Sequence, residues 1–448
     1  MSMTDLIAPL SFPTDRSPGE RRAETAARTL WIGAVISLLG ATLIIGAAII
    51  ASVAGIAGVY DAMRGIALFR SSAAGDMAAA IAILLALFNA GLLLIVMIGA
   101  QARERWTLPA LIALIIGNAA GLIALGNTLG VIPILAAILA VARVWGRGDG
   151  SALRANPVMV KELRGRMRGV RAFAVLTVYL VLMSSFAGLL YLIFNSFTRG
   201  VGSAAAGEIG RVLFIGIVGV ELLLIIFIAP AFTAGAVTGE RERQTYDLLR
   251  TTLLSSPAFI VGKLESALGF IVLLLLSAIP LQSLAFLFGG VSETEIILSF
   301  VLLLVTAVTL GAVGMYFSVV LPRTLTASVR AYGTIVSTMF VAPILIGFIV
   351  SLARDLLFRS GVAQSPVIEA ALTYTNALIT AINPLTTALA TQTLLVERQI
   401  VGMWTLTLAS DGSTIPMVSP WLIFTAVYMS VAALLIALAI RRARRVEG

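Results

Sequence analysis

The sequence has no cysteine and no histidine. That removes thiol nucleophiles, disulfides, imidazole bases and the usual zinc and haem ligands together. Charge is scarce as well: Asp, Glu, Lys and Arg make up 12% of 448 residues, against about 25% in soluble domains. The acids form no catalytic cluster, so a membrane-embedded enzyme is the least favoured function class. What the chain has in quantity is apolar surface, with 59% hydrophobic residues and a mean hydropathy of +1.04. No single soluble core hides that much, and lipid is the solvent this chain requires.

Apolar runs near the roughly 20 residues needed to cross a bilayer predict an all-α polytopic protein with about ten spans. They lie at 30–59, 77–100, 108–125, 129–145, 172–194, 212–238, 264–288, 296–320, 331–353 and 419–440. Only "GNT" (126–128) separates the third from the fourth, which read as two thin spans or as a re-entrant hairpin. With the N-terminus inside, 24 of the 31 Lys and Arg fall on the inner side and 7 on the outer. The positive-inside rule then puts both termini in the cytoplasm. The excess of +9 marks cytoplasmic loops rather than nucleic-acid binding. Residues 1–29 lack a small-residue cleavage site after a short apolar core and read as a cytoplasmic tail, not a signal peptide.

The chain divides into a four-span block (30–145), a basic segment (151–171) and a six-span region (172–448). The last contains a charged cytoplasmic loop, 239–263, and a long external segment, 354–418. Within that segment the apolar run breaks at Asn383–Pro384. This predicts a helix-turn-helix dipped into the outer leaflet, or two further spans. No internal repeat is evident.

"NPVMVKELRGRMRGVRAF" (156–173) opens with Asn156 as an N-cap and Pro157 at the first helical position. On a helical wheel Met159, Val160, Leu163, Met167 and Val170 share one face, and Lys161, Arg164, Arg168 and Arg171 the other. That pattern predicts an amphipathic helix lying in the membrane interface, its cations among anionic headgroups at roughly 1 kcal/mol each. Gly165 and Gly169 weaken the helix by about 1 kcal/mol apiece, and the plainer alternative is a basic stop signal.

"TGERERQTYDLLRTT" (238–252) is the densest polar run in the chain. If 240–253 is helical, Glu240, Arg243, Asp247 and Arg250 form one stripe of alternating sign, each pair worth a few tenths of a kcal/mol. Thr245, Leu248, Leu249, Thr252 and Leu253 share a broad apolar face. A solvated loop needs no such face; a helix that docks against a partner does.

The run "ERERQTYDLLRTTLLSS...IVGKL" resembles the cytoplasmic signature of ABC-type-2 exporter permeases, in which Glu-Arg-Glu precedes a Thr, an acid, a Leu pair and Gly-Lys. The matching positions are Glu240, Arg241, Glu242, Thr245, Asp247, Leu248, Leu249, Gly262 and Lys263, and Arg243 lies within the run. "NPVMVKELRGRMR" is similar to the amphipathic helix before that family's first core span. Gln244 departs from the pattern where Gly is frequent, and Leu253 where Pro is common. The resemblance covers about 156–448. It implies a six-span permease core in the cell membrane of a prokaryote, working as a homodimer or a pair with two separate ATP-binding-cassette subunits. ATP and Mg would sit on those subunits, with no cofactor on this chain and no nucleic-acid partner. The chain's only Gly-Lys pair, Gly262–Lys263, is followed by Leu264, and Pro257 stands where a phosphate-cradling loop needs Gly.

Glu221 lies mid-span, where a charged acid costs roughly 2.5–3.5 kcal/mol on insertion scales. It reads either as a group at the dimer seam or cargo path, or as a hydrogen-bonded helix contact. Gln282, a further candidate for that path, reads with Asn89 and Asn118 more readily as a helix–helix bond. Glu265 is placed to pair with Lys263 or with a loop arginine. The competing function classes are an ion-coupled transporter or channel, which wants paired intramembrane carboxylates, and a non-transporting membrane scaffold.

Overall fold

The computed structural model describes residues 18–54, 75–144, 156–168, 170–197, 203–246, 255–359, 366–410 and 412–445. Nearly all of this is helix. In chain order the elements are α1 (Pro18–Ala54), α2 (Gly75–Ala102), α3 (Thr107–Leu125), α4 (Val131–Val144), α5 (Pro157–Met167) and α6 (Val170–Phe197). Then come α7 (Ser203–Ala234), α8 (Thr238–Glu242), α9 (Ser256–Leu287) and α10 (Glu293–Val320). They are followed by α11 (Thr324–Val336), a π-helical turn (Ser337–Val341), α12 (Ala342–Arg359), α13 (Pro366–Ile382) and α14 (Pro384–Arg398). Two strands, β1 (Met403–Thr407) and β2 (Thr414–Val418), precede α15 (Pro420–Arg445).

Eight helices among the described residues are long and apolar enough to cross a membrane, or nine if the bent pair α13–α14 counts as one span. The protein is thus an all-α polytopic membrane protein with a little sheet. α3 and α4 form the short pair: at 1.5 Å per residue the 14 residues of α4 reach only about 21 Å, short of a hydrocarbon core of about 30 Å. A left-handed Gly126 ends α3 by donating its N–H to Leu122 O at 3.0 Å, and a single 3₁₀ turn, Thr128–Gly130, leads into α4.

Several boundaries differ from the sequence reading. α1 starts at Pro18, so residues 18–29 are helical rather than tail, and Ala23, Ala26 and Ala27 are buried. α9 begins at Ser256, two turns before the apolar run, because Ser255 is extended and Pro257 sits in the first turn. This moves Gly262 and Lys263 out of the loop and onto a helix. Segment 354–418 holds a β-hairpin that the sequence reading does not predict, with Met403 opposite Val418 and Thr407 opposite Thr414. α13 and α14 bend by 117° at Asn383. There Asn383 accepts from Leu385 N–H at 2.8 Å, with Pro384 at the first helical position, so the dipeptide ends one helix and starts the next.

α10 is the central helix. It packs on α7, α15, α11, α9 and α14, and a Ser292–Glu295 capping box fixes its start. The turn before it needs Gly290, which has φ +78 and lies against the Gly207 backbone where a side chain would collide. α2 beds on α15 and α9, so one hydrophobic core runs from Leu93 and Val96 through Ile260 and Leu264 to Ala432 and Ile436. The first four helices and the rest of the chain share this core.

Candidate functional site

The polar groups concentrate at one end of the bundle, where the loop after α7, the start of α9, α5 and the α2–α3 turn converge. The loop after α7 is fastened from its first residues. The backbone N–H groups of Val237 and Thr238 donate to Ser318 Oγ on α10 at 2.8 and 3.2 Å. Thr324 Oγ1, at the start of α11, reaches Thr238 Oγ1 at 3.0 Å.

α8 stops at Glu242. Gln244 N–H donates to Arg241 O at 3.0 Å and Thr245 N–H to Glu240 O at 2.9 Å, the bond pair of a Schellman helix end. Gln244 takes the left-handed conformation such an end requires, φ +59. One helix over 240–253 is therefore not formed, because it is broken at 243–245. Glu240 turns inward, accepting from Thr245 Oγ1 and from Lys263, so the expected Glu240–Arg243 stripe does not assemble. Asp247, Leu248 and Leu249, with Arg250, Thr252 and Leu253, lie outside the described residues.

Lys263 is the centre of the site. It is 2% exposed, and its Nζ lies 2.5 Å from Glu162 Oε1 on α5 and 2.9 Å from Glu240 Oε1. One ammonium thus holds two carboxylates. Arg166, one turn beyond Glu162 and 3.8 Å from it, supplies a second positive charge, so the cluster balances. The Arg166 guanidinium stacks over the Phe232 ring of α7 at 5.3 Å and donates to Phe232 O at 3.5 Å. Pairing is what makes a buried ammonium tolerable, since an isolated one costs several kcal/mol of lost hydration.

The other loop charges have separate jobs. Arg241 donates to Leu321 O at 3.2 Å and lies over the Tyr246 ring, which meets Phe259 edge-on. Glu242 accepts from Thr324 N–H at 2.7 Å and Thr324 Oγ1 at 2.9 Å. A carboxylate at the start of α11 is also favoured by the helix dipole. Arg243 and Gln244 are exposed.

A second joint stands beside the first. Asn156 caps α5, accepting from Val158 N–H at 3.0 Å, as the sequence predicts. Its Nδ2 donates to Ala258 O on α9 at 2.5 Å and to Glu104 Oε1 in the α2–α3 turn at 2.7 Å. Gly262 packs so closely that a Cβ there would lie 2.5 Å from Asn156 Nδ2. Burial pushes the Glu104 carboxyl above the ordinary glutamate range, and the Asn156 bond partly opposes it. Among the described residues Glu265 makes no ion pair with Lys263, Arg241 or Arg243; it accepts from Trp106 Nε1 at 2.6 Å, a second tie to the α2–α3 turn, and Arg250 lies outside the described residues.

The basic segment is divided differently from the helical wheel. α5 ends at Met167, with Arg168 extended at φ −94 and ψ 128, so Arg171 belongs to α6 and the four cations do not share one helix. Lys161, Arg164 and Arg168 are exposed along a surface groove with Pro157, Val160 and Gly165. The expected apolar face splits too. Leu163 lies against Gly269 of α9, whereas Val170 is 83% exposed.

Glu162 and Arg166 went unmarked in the sequence, although their i,i+4 spacing on a basic helix is the signal of an acid placed for pairing. Farther into the membrane, Glu221 and Gln282 meet inside the one chain: Gln282 Nε2 donates to Glu221 Oε2 at 2.7 Å, and both are buried. Asn89 and Asn118 likewise bond each other between α2 and α3. No cluster of three metal-ligating side chains occurs among the described residues. No family model matches the chain, and no curated protein matches it.

Proposed function

We propose that this chain is the membrane permease subunit of an ATP-binding-cassette exporter of the type-2 class. In this reading it has about ten spans, of which the last six form the permease core. Both termini are cytoplasmic, and two permeases pair with two separate nucleotide-binding subunits that carry ATP and Mg. The observation that carries the reading is the Lys263 cluster. The resemblance singles out three separate segments, "NPVMVKELRGRMR", "ERER" and "GK", and Glu162, Glu240 and Lys263, one from each, meet within 2.9 Å. The left-handed Gln244 adds support, because it occupies the position where that family favours Gly.

The mechanics follow from the bonding. A nucleotide-binding subunit that grips the exposed turn at Glu242 and Arg243 moves α8. Lys263 passes that movement to α5 and α9, while Ser318 and Thr324 pass it to α10 and α11. Fastened at four points, the turn drives a rigid-body tilt of the spans rather than a local loop shift.

The test is purification from a native membrane in mild detergent, followed by ATPase and transport assays in vesicles. A soluble nucleotide-binding protein copurifies, and Lys263→Met or Glu240→Lys leaves its basal ATPase activity intact while transport falls. Failure to recover any such protein, or full transport by both variants, removes the proposal.

A further inference from the structure

The charges of α5 are sorted by face. Glu162 and Arg166 turn inward to Lys263 and Phe232 and are spent in the cluster described above. Lys161, Arg164 and Arg168 are exposed, and none of them forms an ion pair or hydrogen bond among the described residues. Lys161 adds to the positive field at Glu240, but that carboxylate is already bonded to Lys263 and Thr245. The three cations line one groove of about 500 Å³, and no acid lines it among the described residues. Gly165 lies along the groove, where a Cβ would meet nothing within 4 Å. Like charges one turn apart destabilise a helix, and a bound anion relieves that repulsion.

The surface next to the cations is apolar and equally bare. The membrane-crossing part of α6 runs from Ala172 to Phe194, and 11% of it is buried in the protein. Arg168 stands just before that span, at the level where headgroups meet hydrocarbon. Val170 is 83% exposed and Phe173 68%, and the open stripe continues through Val178, Val181 and Leu189. One continuous surface is therefore cationic at its end and apolar along its length. A free anion matches the first part alone, and an acidic protein surface matches no stripe inside the bilayer. An amphiphile matches both.

We propose that the groove binds the phosphate of an anionic glycerophospholipid whose acyl chains lie along the exposed face of α6. Two guanidinium forks and an ammonium supply charge-assisted donors to the phosphate oxygens. A choline or ethanolamine headgroup would bring a fourth cation among three, with no carboxylate to receive it. A glycerol headgroup brings none, so the class selected is of the phosphatidylglycerol type. The assignment uses no residue of the Lys263 cluster and stands whether or not the chain is a permease.

The experiment titrates the full chain, in phosphatidylcholine vesicles, with a phosphatidylglycerol carrying a photoactivatable diazirine in one acyl chain. Adducts are mapped by mass spectrometry, and a phosphatidylcholine with the same chain is the second probe. Phosphatidylglycerol adducts concentrate on the first turns of α6 and saturate at a lower lipid fraction than those of phosphatidylcholine. Arg164→Gln raises the half-saturating fraction about fivefold, and joined with Lys161→Gln and Arg168→Gln about a hundredfold. Gly165→Leu keeps every charge, fills the groove with a better helix former and removes the preference between the probes. Arg330→Gln with Arg441→Gln and Arg442→Gln takes the same charge from exposed positions elsewhere and leaves labelling unchanged. Equal saturation by both probes in the wild type overturns the proposal, as does a preference that survives Gly165→Leu or an equal loss in the control variant. Displacement of the probe by inorganic phosphate beyond that by chloride at equal ionic strength makes the groove a free-anion site instead. Labelling in vesicles that is absent in native membranes means that a protein covers the cations, and the lipid assignment then falls.

Discussion

Asn–Pro occurs at 156–157 and again at 383–384, and both copies start a helix. Each asparagine accepts from the backbone N–H two residues on, at 3.0 and 2.8 Å. Each Nδ2 then reaches a carbonyl on another helical element: Ala258 O at 2.5 Å for Asn156 and Met339 O at 2.7 Å for Asn383. The copies part at the next neighbour. Asn156 also donates to the buried Glu104 and is pressed by Gly262. Asn383 instead satisfies a carbonyl in the π-helical turn, where the regular ladder is disturbed. The dipeptide dictates the local start in both places. Only its tertiary neighbours decide how much else depends on it.

Substitutions that separate the two joints have graded expected effects. Gly262→Val is the most damaging, because its side chain must displace Asn156; a loss of about 2–3 kcal/mol is expected. An unchanged thermal midpoint in detergent would show that the contact is not tight. Next comes the pair Asn156→Ala and Asn383→Ala. Each loses a cap worth about 1 kcal/mol, but the first also strands the buried Glu104 carboxyl, at about 1 kcal/mol more. Equal losses from the two variants would erase the distinction drawn here.

Glu104→Gln probes the same joint through pH. Because the folded protein holds the Glu104 carboxyl above its ordinary range, the neutral form is the one folding favours. Its contribution is complete below the ordinary glutamate value and fades as pH rises through the raised one. The wild type should therefore lose stability relative to Glu104→Gln as pH rises above about 4, and parallel stability curves would exclude the effect. The smallest change sharpens the contrast from the other side, at a helix stop. Gln244→Gly relieves a left-handed side chain and should raise stability by about 0.5 kcal/mol, net of the added unfolded-state entropy.

Much of this architecture is legible in order along the chain. Apolar run length places α2, α3, α6 and α10 within a few residues, and Asn156 and Asn383 announce their helices by local chemistry alone. The stop at Glu242 is hidden because Gln244, not Gly, occupies the left-handed position. The early end of α5 is only hinted at by Gly165 and Gly169. The β-hairpin is concealed by short strands, one of which carries Pro416. Least legible is the site itself. Lys263 finds Glu162 across 101 residues and Trp106 finds Glu265 across 159, and no periodicity in a single segment encodes a partner that distant. The sequence suggests that the loop charges point toward a partner protein, whereas Glu240 and Arg241 are spent inside the chain.

The bed that α15 provides for α2 has a consequence for how the protein is made. Gly91 of α2 lies against Ser430 of α15, and over three hundred residues separate Ala102 from Pro420. At roughly 5–20 residues per second of synthesis, α2 waits on the order of tens of seconds before its neighbour leaves the ribosome. Throughout that interval the flank of α2 is bare in the bilayer, and lipid or the insertion machinery must chaperone it. The earliest helices are thus among the last to be finished.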